Sequence, residues 1–155
     1  MKIDVEKIKT FKDACKILGD AHPFVQAYRC WENGGVDGQA DIEAFFKLRI
    51  ITAALNEGWE PRFTQGEYRY TPGFCFWQAD KLAEKSGEWK KEQSLIGLDD
   101  YKGEWAGFTL VGSTHAPVGT SEYLCARLCY RSEALAVYSG RQFADLWADI
   151  YLLRK

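Results

Sequence analysis

The sequence predicts one α+β domain, in which an antiparallel β-meander of about four to five strands packs against helices. Three observations support this prediction. Apolar side chains recur at helical spacing near both ends of the chain and at alternate positions between them. Helices grouped outside a run of strands are typical of α+β proteins, and sequential strands with short links pair antiparallel. The length of 155 residues suits one domain with its own core and is short for two.

Two of the predicted helices begin at hydroxyl side chains that serve as N-caps. A short helix covers 10–18 and begins at Thr10. A longer helix covers 132–152, begins at Ser132 and turns an apolar face toward the sheet. Gly140 lies in the middle of that face. It predicts either a close approach of the helix to the sheet or a break in the helix.

The clearest helix is predicted over 41–56, with Asp41 as its N-cap. Most side chains in its second half are apolar, so we expect the helix to be buried on most sides. Arg49, Thr52 and Asn56 are the exceptions, and their spacing places them on one narrow stripe. We expect this polar stripe to face water.

The strands are predicted from alternating apolar side chains bounded by turn residues. They cover 62–63, 67–76, 105–112 and 122–131, with a hairpin loop at 64–66 and a longer polar loop at 113–120. Pro72 interrupts the second segment and marks an edge strand, a bulge or a break between two strands. Four aromatic side chains of this segment are expected to face the core: Tyr68, Tyr70, Phe74 and Phe76.

Two segments are interpreted as variable excursions of a single domain over 1–155. The first, 20–40, contains several glycines, and we expect one or two helical turns in it. The second, 80–104, is rich in charges of both signs. Leu82 and Trp89 are expected on one face of a short helix in this second excursion.

The composition argues against several classes of protein. A net charge of -2 and a pI of about 5.7 argue against nucleic-acid binding through a generally basic surface. The sequence shows no secretory signal and no apolar run long enough to span a membrane. Its 5 cysteines, an odd number, fit reduced thiols. We therefore expect a cytoplasmic protein that does not enter a membrane.

No catalytic or metal-binding pattern stands out. His115 and Cys125 form no recognisable nucleophile–base signature, and the cysteines and histidines lack the spacing of a zinc site. Asp145 and Asp149 lie one helical turn apart, with Arg141 one turn earlier. This spacing is more typical of the water-facing side of a helix than of a cation site. We therefore expect no catalytic residue, no metal and no cofactor.

The aromatic fraction of 15% is the unusual feature, and it supplies the candidate binding residues. Most of these rings are expected to pack against each other across the sheet. Trp77, Trp89 and Trp105 are harder to bury together, and if exposed they offer a stacking platform for a sugar, a base or a partner protein. The net charge does not exclude a local basic strip of Arg127, Arg131 and Arg141, because it averages over the whole surface. The candidate binding residues are Tyr70, Trp77, Trp105 and Arg127.

Three blocks of the sequence carry a resemblance. They are 7–19 (KIKTFKDACKILG), 46–61 (FKLRIITAALNEGWEP) and 125–147 (CARLCYRSEALAVYSGRQFADLW). In this order they resemble a group of small uncharacterised proteins from phage- and prophage-type loci of Bacteroides-like gut bacteria. The group has no assigned activity, so the resemblance implies a bacterial cytosol and a mobile-element context and supplies no catalytic residue.

Three functions are compatible with these observations. The first is a small non-enzymatic accessory protein of a phage or mobile element, which binds another protein or self-associates through an exposed apolar patch. The second is a ligand-binding protein or enzyme, whose pocket lies between the sheet and 80–104 and contains Tyr70, Trp77 and Trp105. The third is a nucleic-acid modulator, whose binding weakens steeply with salt. The lack of a catalytic pattern favours the first.

Overall fold

The computed structural model describes residues 5–35, 38–62, 64–93, 95–97, 101–117 and 126–155. Its helices are α1 (Phe11–Leu18), α2 (Pro23–Asn33), α3 (Ala40–Asn56), α4 (Ala79–Ala83), α5 (Gly87–Glu92), α6 (Glu133–Gln142) and α7 (Ala144–Tyr151). Its strands are β1 (Tyr68–Gln78), β2 (Ile96–Gly97), β3 (Tyr101–Lys102), β4 (Trp105–Pro117) and β5 (Leu153–Arg154), and 3-10 turns lie at Val5–Lys7 and Ala126–Leu128. The predicted mixture of helix and strand is confirmed.

Two small antiparallel sheets replace the expected meander in the described part of the chain. The larger sheet has the strand order β1–β4–β2, and β3 pairs with β5 in the smaller sheet. β1 and β4 pair along most of their length, with Tyr70 opposite His115 and Phe76 opposite Phe108. The connection between these two long strands contains α4, α5, β2 and β3. One long pair of strands therefore dominates, and a meander of four to five strands is not seen.

The core lies between the larger sheet and the helices, with α3 packed against α1, α2, α6 and α7. Trp147 of α7 is 2% exposed, and Ile50, Ile51 and Leu55 of α3 are completely buried. α3 is therefore buried on most sides, as its composition predicts. No helix among the described residues has the length and the apolar character needed to cross a bilayer.

Pro72 is tolerated inside β1 because this strand lies at the edge of its sheet. The backbone N–H of Tyr70 donates away from β4, to the carbonyl oxygen of Tyr130 at 3.0 Å. Pro72 has the same orientation two residues later, so its missing N–H removes no hydrogen bond to β4. The register also shifts between Gly73 and Phe74. The edge-strand alternative for Pro72 is thus confirmed, whereas Pro72 itself pairs with Ser113 and the residue skipped at the register shift is Val111 of β4.

The predicted strand over 122–131 is wrong in the part that the structure describes. Residues 126–128 form a 3-10 turn, and Tyr130 makes only an isolated bridge to Tyr70. Leu128, Cys129 and Tyr130 are buried in succession, whereas a strand with one wet face buries alternate residues. The first part of the predicted strand, which includes Cys125, lies outside the described residues.

The connections near the long strands also differ from the prediction. β4 continues to Pro117, so the first part of the predicted loop at 113–120 is a strand. Arg62 does not belong to a strand, and its backbone N–H donates to the Glu67 carboxylate at 3.0 and 3.1 Å. Tyr68 and Phe76 are exposed, although Phe76 lies on the same face of β1 as Phe74 and its ring is 5.9 Å from that of buried Phe108. The packed helices cover only the middle of β1, where the Phe74 ring lies 6.0 Å from that of Trp147.

The helix predictions hold, with three corrections. Thr10 and Asp13 form the capping box of α1, and Ser132 caps α6 as expected. α3 begins after Gln39, so Asp41 lies in its first turn rather than at its cap. The helix predicted over 132–152 is two helices, α6 and α7, which meet at Phe143. The predicted short turns within 20–40 are the 11-residue helix α2.

Gly140 allows α6 to approach the sheet closely. A Cβ atom at this position would lie 2.6 Å from Cδ1 of Leu110 and 2.8 Å from Cβ of Pro72. Both distances are shorter than atoms tolerate, so a side chain would force the helix away from the sheet. The break in the helix falls at Phe143, where the backbone leaves helical geometry.

Candidate ligand-binding cleft

The four predicted binding residues do not meet at one site. The Tyr70 ring packs against His115 at 5.5 Å, toward one end of β1, whereas Trp77 lies at the other end. Trp105 pairs with Gln78, so it lies on the opposite face of the sheet from Trp77, and it is 52% exposed. Arg127 lies in the 3-10 turn Ala126–Leu128, beside a cleft that none of the other three lines.

Trp77 and Trp89 fasten the connection between β1 and β4 to the sheet. Their ring centroids lie 5.2 Å apart in an edge-to-face arrangement. Trp77 Nε1 donates to Oγ1 of Thr109 at 3.1 Å, and Nζ of Lys85 lies 5.3 Å from the Trp89 ring. Trp89 lies in α5 and Leu82 in α4, so the two do not share a helix. These tryptophans pack together and do not form an open stacking platform with Trp105.

A small cavity lies where the pocket was predicted, between the sheet and the second excursion. Its volume is about 160 Å³, and its lining includes Phe74, Ile96 and Phe108. This volume is below the range of typical small-molecule sites, which begins at roughly 300 Å³. The cavity next to α6 is therefore too small to serve as the candidate site.

A larger cleft opens beside the C-terminal half of α3. Its volume is about 510 Å³, which falls within the range of small-molecule sites. The start of α2, the second half of α3, the segment 58–61 and the residues around the 3-10 turn at Ala126–Leu128 form its walls. Its principal lining side chains are His22, Phe24, Arg49, Trp59, Glu60 and Arg127.

The floor of the cleft includes the polar stripe of α3, which the sequence predicted to face water. Thr52 and Asn56 are instead 4% and 2% exposed. Thr52 Oγ1 donates to the Tyr130 hydroxyl at 3.0 Å, and Asn56 Nδ2 donates to the Cys129 carbonyl at 2.9 Å. Asn56 Oδ1 also accepts the backbone N–H of Arg131 at 3.2 Å. The stripe is polar because it holds the segment 129–131 in place.

Tyr130 connects this floor to the centre of the core. Its hydroxyl donates to Oγ of Ser139 at 2.6 Å, and Oγ of Ser139 also accepts Nε1–H of Trp147 at 3.2 Å. Burial raises the pKa of Tyr130 to about 12, while the hydrogen bonds with Ser139 and Thr52 act in the opposite direction. A floor tied to the core by satisfied hydrogen bonds is preformed.

His22 and Phe24 build the wall at the start of α2. Nδ1 of His22 accepts the backbone N–H of Phe24 at 3.2 Å and caps the helix. In the neutral imidazole the proton then lies on Nε2. Cζ of Arg49 lies 4.0 Å from the centroid of the Phe24 ring. The ring supports the guanidinium, which keeps its in-plane N–H groups available for a ligand.

The charges that line the cleft are unequal. Arg49 and Arg127 contribute two positive charges and Glu60 one negative charge. Among the described residues, neither of these arginines forms an ion pair with a carboxylate. By contrast, Arg131, which lies only four residues beyond Arg127, pairs with Glu57. The cleft therefore has a surplus of one positive charge.

Asp149 is buried, although its spacing from Asp145 predicted a water-facing position. Its Oδ1 accepts the Tyr101 hydroxyl at 2.7 Å and Nε of Arg154 at 2.6 Å. Burial and the hydrogen bond to this carboxylate raise the pKa of Tyr101. These contacts attach the C-terminal strand β5 to β3, so the carboxylate has a structural role. Across the described ranges, no three His, Cys, Asp or Glu side chains converge as metal ligands do.

Of the predicted site residues, only Arg127 lines the cleft. The residues that the sequence prediction missed are His22, Phe24, Trp59, Glu60 and, as a binding residue, Arg49. The signal that points to them is the polar stripe on an otherwise apolar helix. A buried helix with polar groups on one side needs partners there, and the gap beside those partners is the cleft.

Comparisons of the chain with family models, with curated proteins and with solved structures found no match.

Proposed function

We propose that the protein binds a small molecule in the cleft beside α3. The observation that supports this proposal is a cleft of about 510 Å³ whose walls combine the aromatic rings of Phe24 and Trp59 with charged side chains. Small-molecule sites in proteins are usually concave, largely apolar and supplied with a few oriented polar groups.

The fixed floor of the cleft strengthens this proposal. Asn56 and Thr52 form hydrogen bonds to residues more than 70 positions later in the chain. The donor and the acceptor of both hydrogen bonds are buried. A site that is formed before its ligand arrives loses less conformational entropy on binding. The cleft therefore has the physical properties of a binding site rather than of a surface irregularity.

The test uses N-phenyl-1-naphthylamine, a neutral apolar probe whose fluorescence rises when it leaves water. We expect saturable binding to the wild-type protein. Ala53 is partly exposed on the cleft side of α3, so Ala53→Leu places extra volume in the cleft. This variant should bind the probe at least about tenfold more weakly, a loss of roughly 1.4 kcal/mol.

Ala40→Leu is the matched control for this test. Ala40 is also partly exposed, but it lies at the opposite end of α3 and does not line the cleft. It should leave probe affinity unchanged. Equal affinities of the Ala53→Leu variant and the wild-type protein would contradict the proposal, because the probe would then bind elsewhere.

A second proposal is a non-enzymatic accessory protein that contacts another protein, in the phage or mobile-element context that the sequence resemblance implies. Exposed aromatic side chains favour it: Phe76 and Tyr151 are both exposed, and their rings lie 5.7 Å apart. Trp105 lies on the same face of the sheet as Phe76. Aromatic side chains are enriched at the centres of protein interfaces.

Affinity capture with the tagged protein from host lysate, with and without nuclease treatment, tests the second proposal. A stoichiometric partner protein should be captured by the wild-type protein and by Ala53→Leu, and lost with Tyr151→Ser. A partner that all three proteins capture equally would contradict a role for the aromatic face. Capture that disappears after nuclease treatment would support nucleic-acid binding instead.

A further inference from the structure

We propose that the cleft beside α3 selects a small organic anion, whose charged group binds Arg49 and Arg127 while its apolar body lies against Trp59 and Phe24. This inference rests on the proposed function, since it names the chemical class of ligand for the same cleft. It also makes a separate claim, because a cleft that binds only neutral molecules would satisfy the proposed function and not this inference.

The first step is the number of polar groups that are available to a ligand. The Asn56 amide already donates to the Cys129 carbonyl and accepts the backbone N–H of Arg131. The Thr52 hydroxyl donates to the Tyr130 hydroxyl. The groups left for a ligand on the cleft walls are the two guanidiniums, the His22 imidazole and the Glu60 carboxylate. Donors therefore outnumber acceptors, which suits a ligand that accepts hydrogen bonds.

The second step is the state of the two arginines. Other arginines form ion pairs: Arg29 and Arg154 each contact a carboxylate at 2.6 Å, and Arg131 pairs with Glu57. Arg49 and Arg127 have no such partner in the described part of the chain. Guanidinium groups bind carboxylate, sulfonate and phosphate oxygens through paired N–H donors. The protein thus places at one cleft two guanidiniums that form no ion pair within the described residues, with a surplus of one positive charge.

The third step is the apolar part of the lining. Phe24 lies beneath the Arg49 guanidinium, with 4.0 Å between the Cζ atom and the ring centroid, and Trp59 lies on the segment after α3. An inorganic ion would leave these rings without contact, whereas an organic anion uses both parts of the cleft. Burial of an apolar body adds about 25 cal/mol per Å² of apolar surface.

The test compares two probes that share one ring system. 8-Anilinonaphthalene-1-sulfonate carries a sulfonate, and N-phenyl-1-naphthylamine lacks it. We expect the wild-type protein to bind the anionic probe at least about tenfold more tightly, because hydrogen bonds to charged groups are stronger than those between neutral groups. Binding is measured by fluorescence titration and confirmed by calorimetry.

Arg49→Gln and Arg127→Gln then separate charge from shape. Each variant should lose at least about tenfold in affinity for the anionic probe and stay within about threefold for the neutral probe. Arg141→Gln is the matched control, because Arg141 is exposed on α6 and is not part of this cleft. It removes the same charge from the protein and should leave both affinities unchanged.

Two kinds of failure are distinguishable. Equal wild-type affinities for the two probes, or an affinity ratio that survives both arginine variants, would overturn the anion inference and leave the cleft as a neutral site. If neither probe responds to Ala53→Leu, the proposed function itself fails. 1-Naphthoate and 1-naphthyl phosphate, titrated in parallel, show whether a carboxylate or a phosphate is the preferred anionic group.

Discussion

The α3 side of the molecule and the connection 79–104 use their side chains in different ways. On the α3 side, polar groups such as Thr52 and Asn56 are buried, and each has a partner in the segment 129–131. In the connection, α5 buries no side chain completely and α4 buries only Leu82. The α3 side is held by buried hydrogen bonds between distant residues, and α4 and α5 are held by a few apolar contacts.

This difference indicates where a ligand site forms. In the connection, an aromatic side chain such as Trp89 packs against the sheet, where it contacts Trp77. Its ring is therefore not available to a ligand. The polar side chains around α3 fix a floor and leave an open cleft above it. The aromatic surplus, which is the most conspicuous feature of the composition, therefore serves mainly to pack the fold. The short polar stripe of α3 is the feature that indicates the candidate site.

The largest expected effect separates a core tryptophan from a surface one. Trp147→Ala should destabilise the protein by roughly 3–5 kcal/mol, because it removes a ring that is 2% exposed. Trp105→Ala should cost less than about 1 kcal/mol, because surface side chains contribute little to stability. Urea denaturation followed by circular dichroism measures both. Similar losses of unfolding free energy in the two variants would contradict the assignment of Trp147 to the core and Trp105 to the surface.

The second effect is a loss of stability at alkaline pH. Burial raises the pKa of Tyr130 from its ordinary 10 to about 12, so the folded state favours the protonated hydroxyl. This contribution is fully present below pH 10 and is lost as the pH rises toward 12. Two pKa units correspond to about 2–3 kcal/mol.

Tyr130→Phe isolates this contribution from those of the other tyrosines. Burial also raises the pKa values of Tyr28 and Tyr101, and both residues remain in the variant. Urea denaturation between pH 8 and pH 11.5 should therefore show a steeper decline for the wild-type protein than for Tyr130→Phe. Parallel declines would mean that the buried hydroxyl does not titrate with folding.

A third effect distinguishes the cleft from the C-terminal strand. Asn56→Ala removes a buried hydrogen-bonding group, and Asp149→Asn removes the negative charge that Tyr101 and Arg154 contact. Each substitution should cost about 1–2 kcal/mol. Only Asn56→Ala should also weaken binding of the naphthylamine probe, because only this residue lies in the floor of the cleft. Equal loss of probe affinity in both variants would point to general destabilisation rather than to a defined floor.

The sequence predicts local features well, because their causes are local. Thr10 and Ser132 cap their helices as predicted, and Gly140 packs against the sheet as its position within an apolar face predicts. In its described part, the strand predicted over 122–131 fails because Cys129 and Tyr130 contact α3 while Tyr130 also bridges to Tyr70 of the sheet, so successive residues are buried. An alternating pattern does not reveal burial on two sides.

The candidate site is harder to predict, because its residues come from three separate stretches of the chain, within 18–24, 49–61 and 127–129. Arg49 and Asn56 lie on one stripe of α3, but the sequence does not show that Cys129 and Tyr130 cover part of this stripe. His22 is easily taken for a loop residue before a proline, and only the structure places it beside Arg49 and Phe24. Contacts between residues more than 70 positions apart depend on the tertiary fold rather than on local propensity.

The smallest effect concerns the reactivity of the cysteine thiols. It tests whether the α3 side is held more firmly than exposed parts of the molecule, and it needs no substitution that alters stability. No disulfide joins Cys15, Cys30, Cys75 or Cys129 within the described residues. Iodoacetamide should modify exposed Cys30 first and the half-buried Cys15 more slowly, because burial raises the pKa of the Cys15 thiol. Cys129, in the floor of the cleft, should react only after unfolding in urea, as peptide mass spectrometry measures. Modification of Cys129 at the rate of Cys30 in the native protein would show that the floor opens, and would contradict a preformed cleft.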